Sequence, residues 1–418
     1  MVNYSPQYVN KFSCLGSNCP ETCCHGMMID VDKETHSKYQ KIKIEGIKNV
    51  GNNLKKKDNP TDQHFSVIKL KKDGHCSFLG NDGLCGIQKK YGEGYLSNTC
   101  NTFPRKNIDF AENKLQTMSM SCPEVARLCL SNKNSMEIIE DKFYKKKKFN
   151  LVSEKSMKHF DTPYATTGNL IISKVFQLLQ NEKINYINSL VIINKLLEEQ
   201  LNISKNPELF DKSYKFFYET FSNIDIISFD NYDLKILFLT DMFNIYNHIK
   251  FKSSLKNFSN HTLINLIKNS YHELVGRFDN VDCAVENLKK INQEFFSKFE
   301  QKNSHIFRNF FLNEILGYAH IVTNKRPYNR YNLYMSIFLA TISKMILLGI
   351  CSKEKREPTL EDFINIINRV ERSNQIFFQF GSKRVDKNFE MLFNIDILKF
   401  YDKVDKNSLF NSTLLVFG

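Results

Sequence analysis

The stretch CLGSNCPETCC, residues 14–24, decides how this chain is read: four cysteines fall in eleven residues, two of them adjacent. So dense a thiol group needs a chemical reason. The surrounding sequence extends it. Nine of the eleven cysteines lie before residue 130: Cys14, Cys19, Cys23, Cys24, Cys76, Cys85, Cys100, Cys122 and Cys129. Ten of the sixteen glycines and five of the nine prolines lie before residue 151. GHC (74–76), GNDGLCG (80–86) and TFPR (102–105) read as turns. This half is expected to be a small, irregular, Cys-rich domain over residues 1–145. It offers little periodic apolar sequence, so bound metal would supply missing folding free energy.

Residues 150–418 follow a different pattern. Leu234, Phe238, Met242, Ile245 and Ile249 recur at helical spacing, as do Val285, Leu288, Ile291, Phe295 and Phe299. Thr359, with Asp362 three residues on, predicts a capping-box start just after Pro358. Residues 170–201 predict one long helix or a helix pair, and no strand alternation is visible. The fold class expected is therefore mainly α: a metal-binding N-terminal domain, a boundary near the lysine run KKKKFN (145–150), then a large helical domain.

Composition narrows the function. The net charge of +13 is spread along the chain without aromatic–basic alternation, which argues for a solvated surface and no nucleic-acid partner. MVNYSPQYVNKF has no apolar signal region. The most apolar run, residues 334–350, is short for a bilayer and contains Lys344, so a buried core helix is expected and no membrane association. A cytoplasmic location follows, where thiols stay reduced and a disulfide framework is not the default.

Soft thiolates select zinc, copper(I) or iron–sulfur clusters. The gaps are irregular: four residues between Cys14 and Cys19, three between Cys19 and Cys23, eight between Cys76 and Cys85. Paired two-residue zinc knuckles are absent. A [4Fe–4S] cluster takes four thiolates and tolerates such gaps. The candidate ligands number eight: Cys14, Cys19, Cys23, Cys24, Cys76, Cys85, Cys100 and Cys122. Two sites, or one cluster plus structural thiols, fit that count. Adjacent Cys23 and Cys24 point in different directions and would not serve one cluster symmetrically.

Cys129, Cys283 and Cys351 read as small core residues. His25 and His75 read as supporting or surface residues beside the thiols. Pro20, Pro104 and Pro123 force turns near them. Arg105 and Arg127 are either donors to a bound anion or surface residues. No dinucleotide loop, P-loop, GxSxG or HExxH occurs: GEG (92–94) lacks its third glycine, and Gly26 occupies the position where a radical iron–sulfur motif needs its third cysteine. No catalytic base is nominated. Asp82, Glu93 and Glu124 lie near the thiols and read as caps or surface carboxylates.

CLGSNCPETCCHG, CSFLGNDGLCGIQKKYGEGYLSNTCNTFPR and MSMSCPEVARL together resemble the flagellin lysine-N-methylase family, strongly over residues 4 to about 130 and more generally beyond. A related set of zinc- or iron-chelating cysteine-cluster proteins shares part of the pattern. The resemblance implies a cytoplasmic enzyme that methylates lysines of flagellin. It also implies S-adenosylmethionine as donor and an associated iron–sulfur cluster, with the eight cysteines as metal candidates. One departure is Met27, where the family tends to have Trp after CCxG. The competing expectation is a non-enzymatic scaffold held by zinc or iron.

Overall fold

The computed structural model describes residues 3–110, 113–140, 163–206, 208–223, 261–278, 280–317 and 330–378. The expected boundary at 145–150 and the expected Leu234–Ile249 helix lie outside the described residues. The described chain is mainly helical, with two small sheets in its first third.

The first sheet has four strands. Strands β1 (Asn3–Pro6), β5 (Arg105–Phe110), β6 (Asn113–Met118) and β7 (Ile138–Glu140) lie in the order β5-β6-β1-β7. β5 and β6 form an antiparallel hairpin, Arg105 opposite Met118. β1 joins β6 in parallel, with Tyr4 opposite Leu115, and β7 closes the other side antiparallel. In the second sheet β4 (Ser66–Ile68) lies between β2 (Asp30–Val31) and β3 (Leu54–Lys56). The irregular reading of this region is thus corrected. Part of its order comes from β1, which pairs with β6 and β7 more than a hundred residues away, and local periodicity does not reveal such pairing. β6 runs between two neighbours, and Lys114 through Met118 are all buried. Such a central strand shows no apolar–polar alternation.

The helical half matches its periodicity more closely. Residues 170–201 fall in a helix pair, Pro163–Gln180 and Tyr186–Glu198, before a short Gln200–Lys205 turn of helix. Thr359 Oγ1 accepts from the Asp362 backbone N–H at 3.1 Å, and Asp362 Oδ2 accepts from the Thr359 N–H at 2.8 Å, so the capping box is reciprocal. Arg330–Glu354 is a core helix with Lys344 fully buried, and among the described residues no helix is long and apolar enough to cross a membrane.

Ser304–Gly317 is the central element. Every residue from Ile306 to Gly317 is buried. Its Phe307 stacks on Tyr186 at 5.3 Å and meets the edge of Phe363 at 5.0 Å. The same helix receives the N-terminal segment. Tyr8 donates from its hydroxyl to Asn313 Oδ1 at 2.6 Å and accepts from the Met118 N–H at 2.8 Å. One apolar core therefore runs from Tyr8 through Val125 and Leu130 to Val370. A smaller core collects Ile29, Val31, Tyr39, Phe78 and Ile87 beside the second sheet. Cys24, Cys85 and Cys100 pack against the smaller core and Cys122 against the larger one.

A candidate metal and cofactor cavity lined by thiols

The cysteine loops are tied together by backbone. Gly74, at φ +86°, accepts from the Gly26 N–H at 2.9 Å, and the Cys76 N–H donates to the Cys24 carbonyl at 2.7 Å. A side chain at Gly74 would be strained and would meet the His25 ring at 3.1 Å. Cys19 closes the short Gly16–Asn18 turn, donating its N–H to the Gly16 carbonyl. Cys85 precedes helix Gly86–Tyr91, Cys100 lies in helix Asn98–Thr102, and Cys122 caps helix Pro123–Leu130 with Pro123 at its first position. Pro123 suits that position because its missing N–H is not needed there.

A cavity of about 410 Å³ opens between the loops, a size ordinary for a small-molecule site. Seven of the eight expected cysteines line it: Cys14, Cys19, Cys23, Cys24, Cys85, Cys100 and Cys122. Cys76 is buried behind it, near enough for its charge to act on Cys24 and Cys100. All eleven cysteines are free thiols. Among the described residues no three His, Cys, Asp or Glu side chains converge closely enough to hold a single metal ion.

The thiols differ in character. The Cys24 thiol donates to Cys23, which pulls Cys23 down to about 7 against the effect of burial, with Arg372 helping. The same bond pushes Cys24 well up. Burial raises Cys76 to about 11 and Cys100 and Cys122 to about 12. At Cys122 the N–H groups of Val125 and Glu124 at the helix start oppose that rise. Thiolate is the form that ligates metal, so a bound cation would have to favour deprotonation of the buried members.

Two arginines that the sequence reading did not single out hold Glu21 at the cavity wall. From helix Leu360–Phe378, Arg372 donates through Nη2 to the carbonyls of Thr22 and His25 (2.8 Å for His25), and through Nη1 to Glu21 at 3.3 Å. Arg369 approaches Glu21 at 3.4 Å. Their i, i+3 spacing places both on one helix face, which was the available signal. Their partners lie some 350 residues away in sequence and were not readable. Arg105 lines the cavity and lies over the Phe12 ring at 5.3 Å. Arg127 instead makes a two-pronged bond to Glu124, which is buried at the cavity wall. Glu21 and Glu93 also line the wall, whereas Asp82 pairs with Lys89 and caps its own turn. His25 and His75 face one another, ring centroids 4.4 Å apart, outside the lining. Cys129 and Cys351 are buried core thiols as expected; Cys283 is not, standing exposed in the first turn of helix Val281–Ile291.

Residues 173–393, more than half of the chain, match the family model described as FliB lysine N-methylase C-terminal domain. The flagellar biosynthetic protein FliU of Salmonella muenchen is 36% identical over 143 residues, covering 33% of this chain and 83% of that protein. Lysine-N-methylases of Salmonella typhimurium and Salmonella choleraesuis are each 37% identical over 139 residues, covering 32% of this chain. The aligned part spans 34%, about a third, of the length of each of those two enzymes. No solved structure matches. The chain belongs to the FliB lysine N-methylase family.

Proposed function

We propose that the protein methylates lysine side chains of flagellin with S-adenosylmethionine as donor, in the cytoplasm, and that its thiol-lined cavity holds an iron–sulfur cluster. Family membership carries the lysine-methylation reading. The flagellar name of one relative favours flagellin. The donor set suits a cluster. Seven thiols ring a cavity rather than closing on one point. A cluster binds its cysteines through separate irons and so takes them around its outside. Cys14, Cys19, Cys23, Cys24, Cys76, Cys85, Cys100 and Cys122 are the residues available to hold it. When bound, a cluster would supply an iron able to fix the amino and carboxylate groups of the methyl donor, a task for which the sequence offers no glycine-rich loop.

The reaction itself is a displacement. The lysine nitrogen forms a bond to the methyl carbon as the carbon–sulfur bond of the sulfonium breaks, leaving a neutral thioether. The attacking amine must be neutral, yet its ordinary pKa is about 10.4. A partly desolvated wall and a carboxylate acceptor both favour losing that proton. Glu21, Glu93 and Glu124 stand at the wall. The arginines that hold Glu21 and Glu124 also fix where those carboxylates point.

The test uses metal-loaded full-length protein, flagellin and isotope-labelled S-adenosylmethionine, with tryptic mapping of labelled lysines. Label on flagellin lysines is the expected result. No label with intact metal content would refute the activity, and an equal rate in iron-free protein would refute the role of the cluster.

A further inference from the structure

We propose that Arg105 binds the carboxylate of the methyl donor inside the thiol-lined cavity. This rests on the reading of the site given above and adds to it the side chain that receives the donor's amino-acid end.

Charge singles the residue out. Among the residues that line the cavity, Arg105 is the only cation, beside the carboxylates of Glu21, Glu93 and Glu124. The neighbouring arginines are already engaged. Arg127 is bonded twice to Glu124, and Arg369 and Arg372 hold Glu21 from outside the lining. Among the described residues Arg105 pairs with no carboxylate, and its guanidinium carbon lies 5.3 Å from the centre of the Phe12 ring. A cation over a ring face is attracted by the ring without giving it a hydrogen bond. The N–H donors of the fork are therefore left for an acceptor.

Backbone fixes where the fork stands. Arg105 opens strand β5 opposite Met118. Just beyond that pair the Ser119 N–H donates to the Pro104 carbonyl at 2.8 Å, and the Cys122 N–H donates to the Ser119 carbonyl at 3.2 Å. Phe12 packs against the large core and stands two residues before Cys14. Arg105 is thus held, half-buried, against the segments that carry Cys14 and Cys122. Charges taken partly out of water are ordinarily paired. A carboxylate entering the cavity would meet a planar fork that matches it with two parallel bonds.

The enclosure selects the ligand. A cavity of about 410 Å³ walled by loops suits a small molecule. The donor of the proposed reaction has one carboxylate, and the acidic wall residues would repel it everywhere except at Arg105. The same carboxylates suit the donor's sulfonium. Two N–H bonds leave lone pairs on the carboxylate oxygens, so this role is compatible with a metal at the same group.

Equilibrium binding to metal-loaded full-length protein is measured with S-adenosylhomocysteine, the thioether product of the proposed transfer, and with its analogue lacking the carboxylate. The parent should bind the carboxylate form about ten- to a hundredfold more tightly, the range for charge-assisted bonds. Arg105→Met should weaken the carboxylate form by that factor and leave the analogue unchanged, with metal content and visible spectrum intact. Equal affinity of the parent for the two ligands overturns the proposal without any variant. A variant that keeps the parent's preference, weakens both ligands alike or loses its metal also overturns it. So does a variant with unchanged ligand affinities and a raised KM for flagellin, which would assign Arg105 to a carboxylate of the protein substrate. Failure of the parent to bind either ligand sinks the donor reading and this inference with it. Carboxylate-dependent binding through Arg105 in protein that transfers no methyl group defeats only the activity, and binding independent of Arg105 in protein that methylates flagellin defeats only this inference.

Discussion

Arg372→Met should loosen the cysteine loops without unfolding the helical core. Methionine retains the apolar stem of the side chain and deletes the guanidinium fork. Three bonds go: two to the carbonyls of Thr22 and His25, and one to Glu21. A hydrogen bond from a charged donor is worth about 1.5 kcal/mol at the low end, so the two carbonyl bonds give about 3 kcal/mol. The Glu21 side chain is 32% exposed, which holds that pair to about 0.5 kcal/mol. Ordering the arginine costs up to about 2 kcal/mol of rotamer freedom. The net is about 1.5–2 kcal/mol of docking, or a factor of roughly 10–30 in a local opening equilibrium. Two amides report it directly: Gly26, bonded to Gly74, and Cys76, bonded to Cys24. Their hydrogen exchange should accelerate by that factor in metal-free protein, while exchange in Ser304–Gly317 stays unchanged. Arg372→Lys, which keeps the charge and loses the fork, should fall between. Unchanged exchange at Gly26 and Cys76 in the methionine variant would refute the idea that this helix clamps the loops.

Lys344 is fully buried, with its Nζ 3.1 Å from Glu300 Oε2 and 4.7 Å from the Phe296 ring centre. Lys344→Met should therefore cost about 3 kcal/mol by removing the cation beside Glu300, to which Tyr186 still donates, and adding Glu300→Gln should restore most of it. Melting followed by circular dichroism checks both, since the chain has no tryptophan, and equal melting of the single and double variants would refute it. Glu371 and Glu314 are both buried, and burial followed by the Glu314 charge raises Glu371 well above the ordinary carboxyl range. A raised folded value means the folded state binds the proton more tightly, so stability is lost as pH rises from about 4.3 through the folded value. Glu371→Gln should remove much of that slope and be at least as stable as the parent above neutrality. Parallel curves of melting temperature against pH would show that this pair does not titrate on unfolding.

What was legible in the sequence divides along a physical line. Local interactions were readable because one short window holds their whole cause: the Thr359–Asp362 box, the Tyr186–Glu198 helix and the burial of 339–349 all depend on residues within a few turns. Thiol spacing announced a cysteine site for the same reason, since Cys14 to Cys24 is one loop. What was not readable depends on closure over long separations. β1 pairs with β6 more than a hundred residues away, Tyr8 bonds Asn313, and Arg372 reaches back to Thr22. Each of these closes a large loop, and its energy comes from a partner that no local pattern names. The exposed Cys283 shows the converse error. Its neighbours Ala284 and Val285 are buried, so an apolar stretch was present, but a helix turns its third residue to another face.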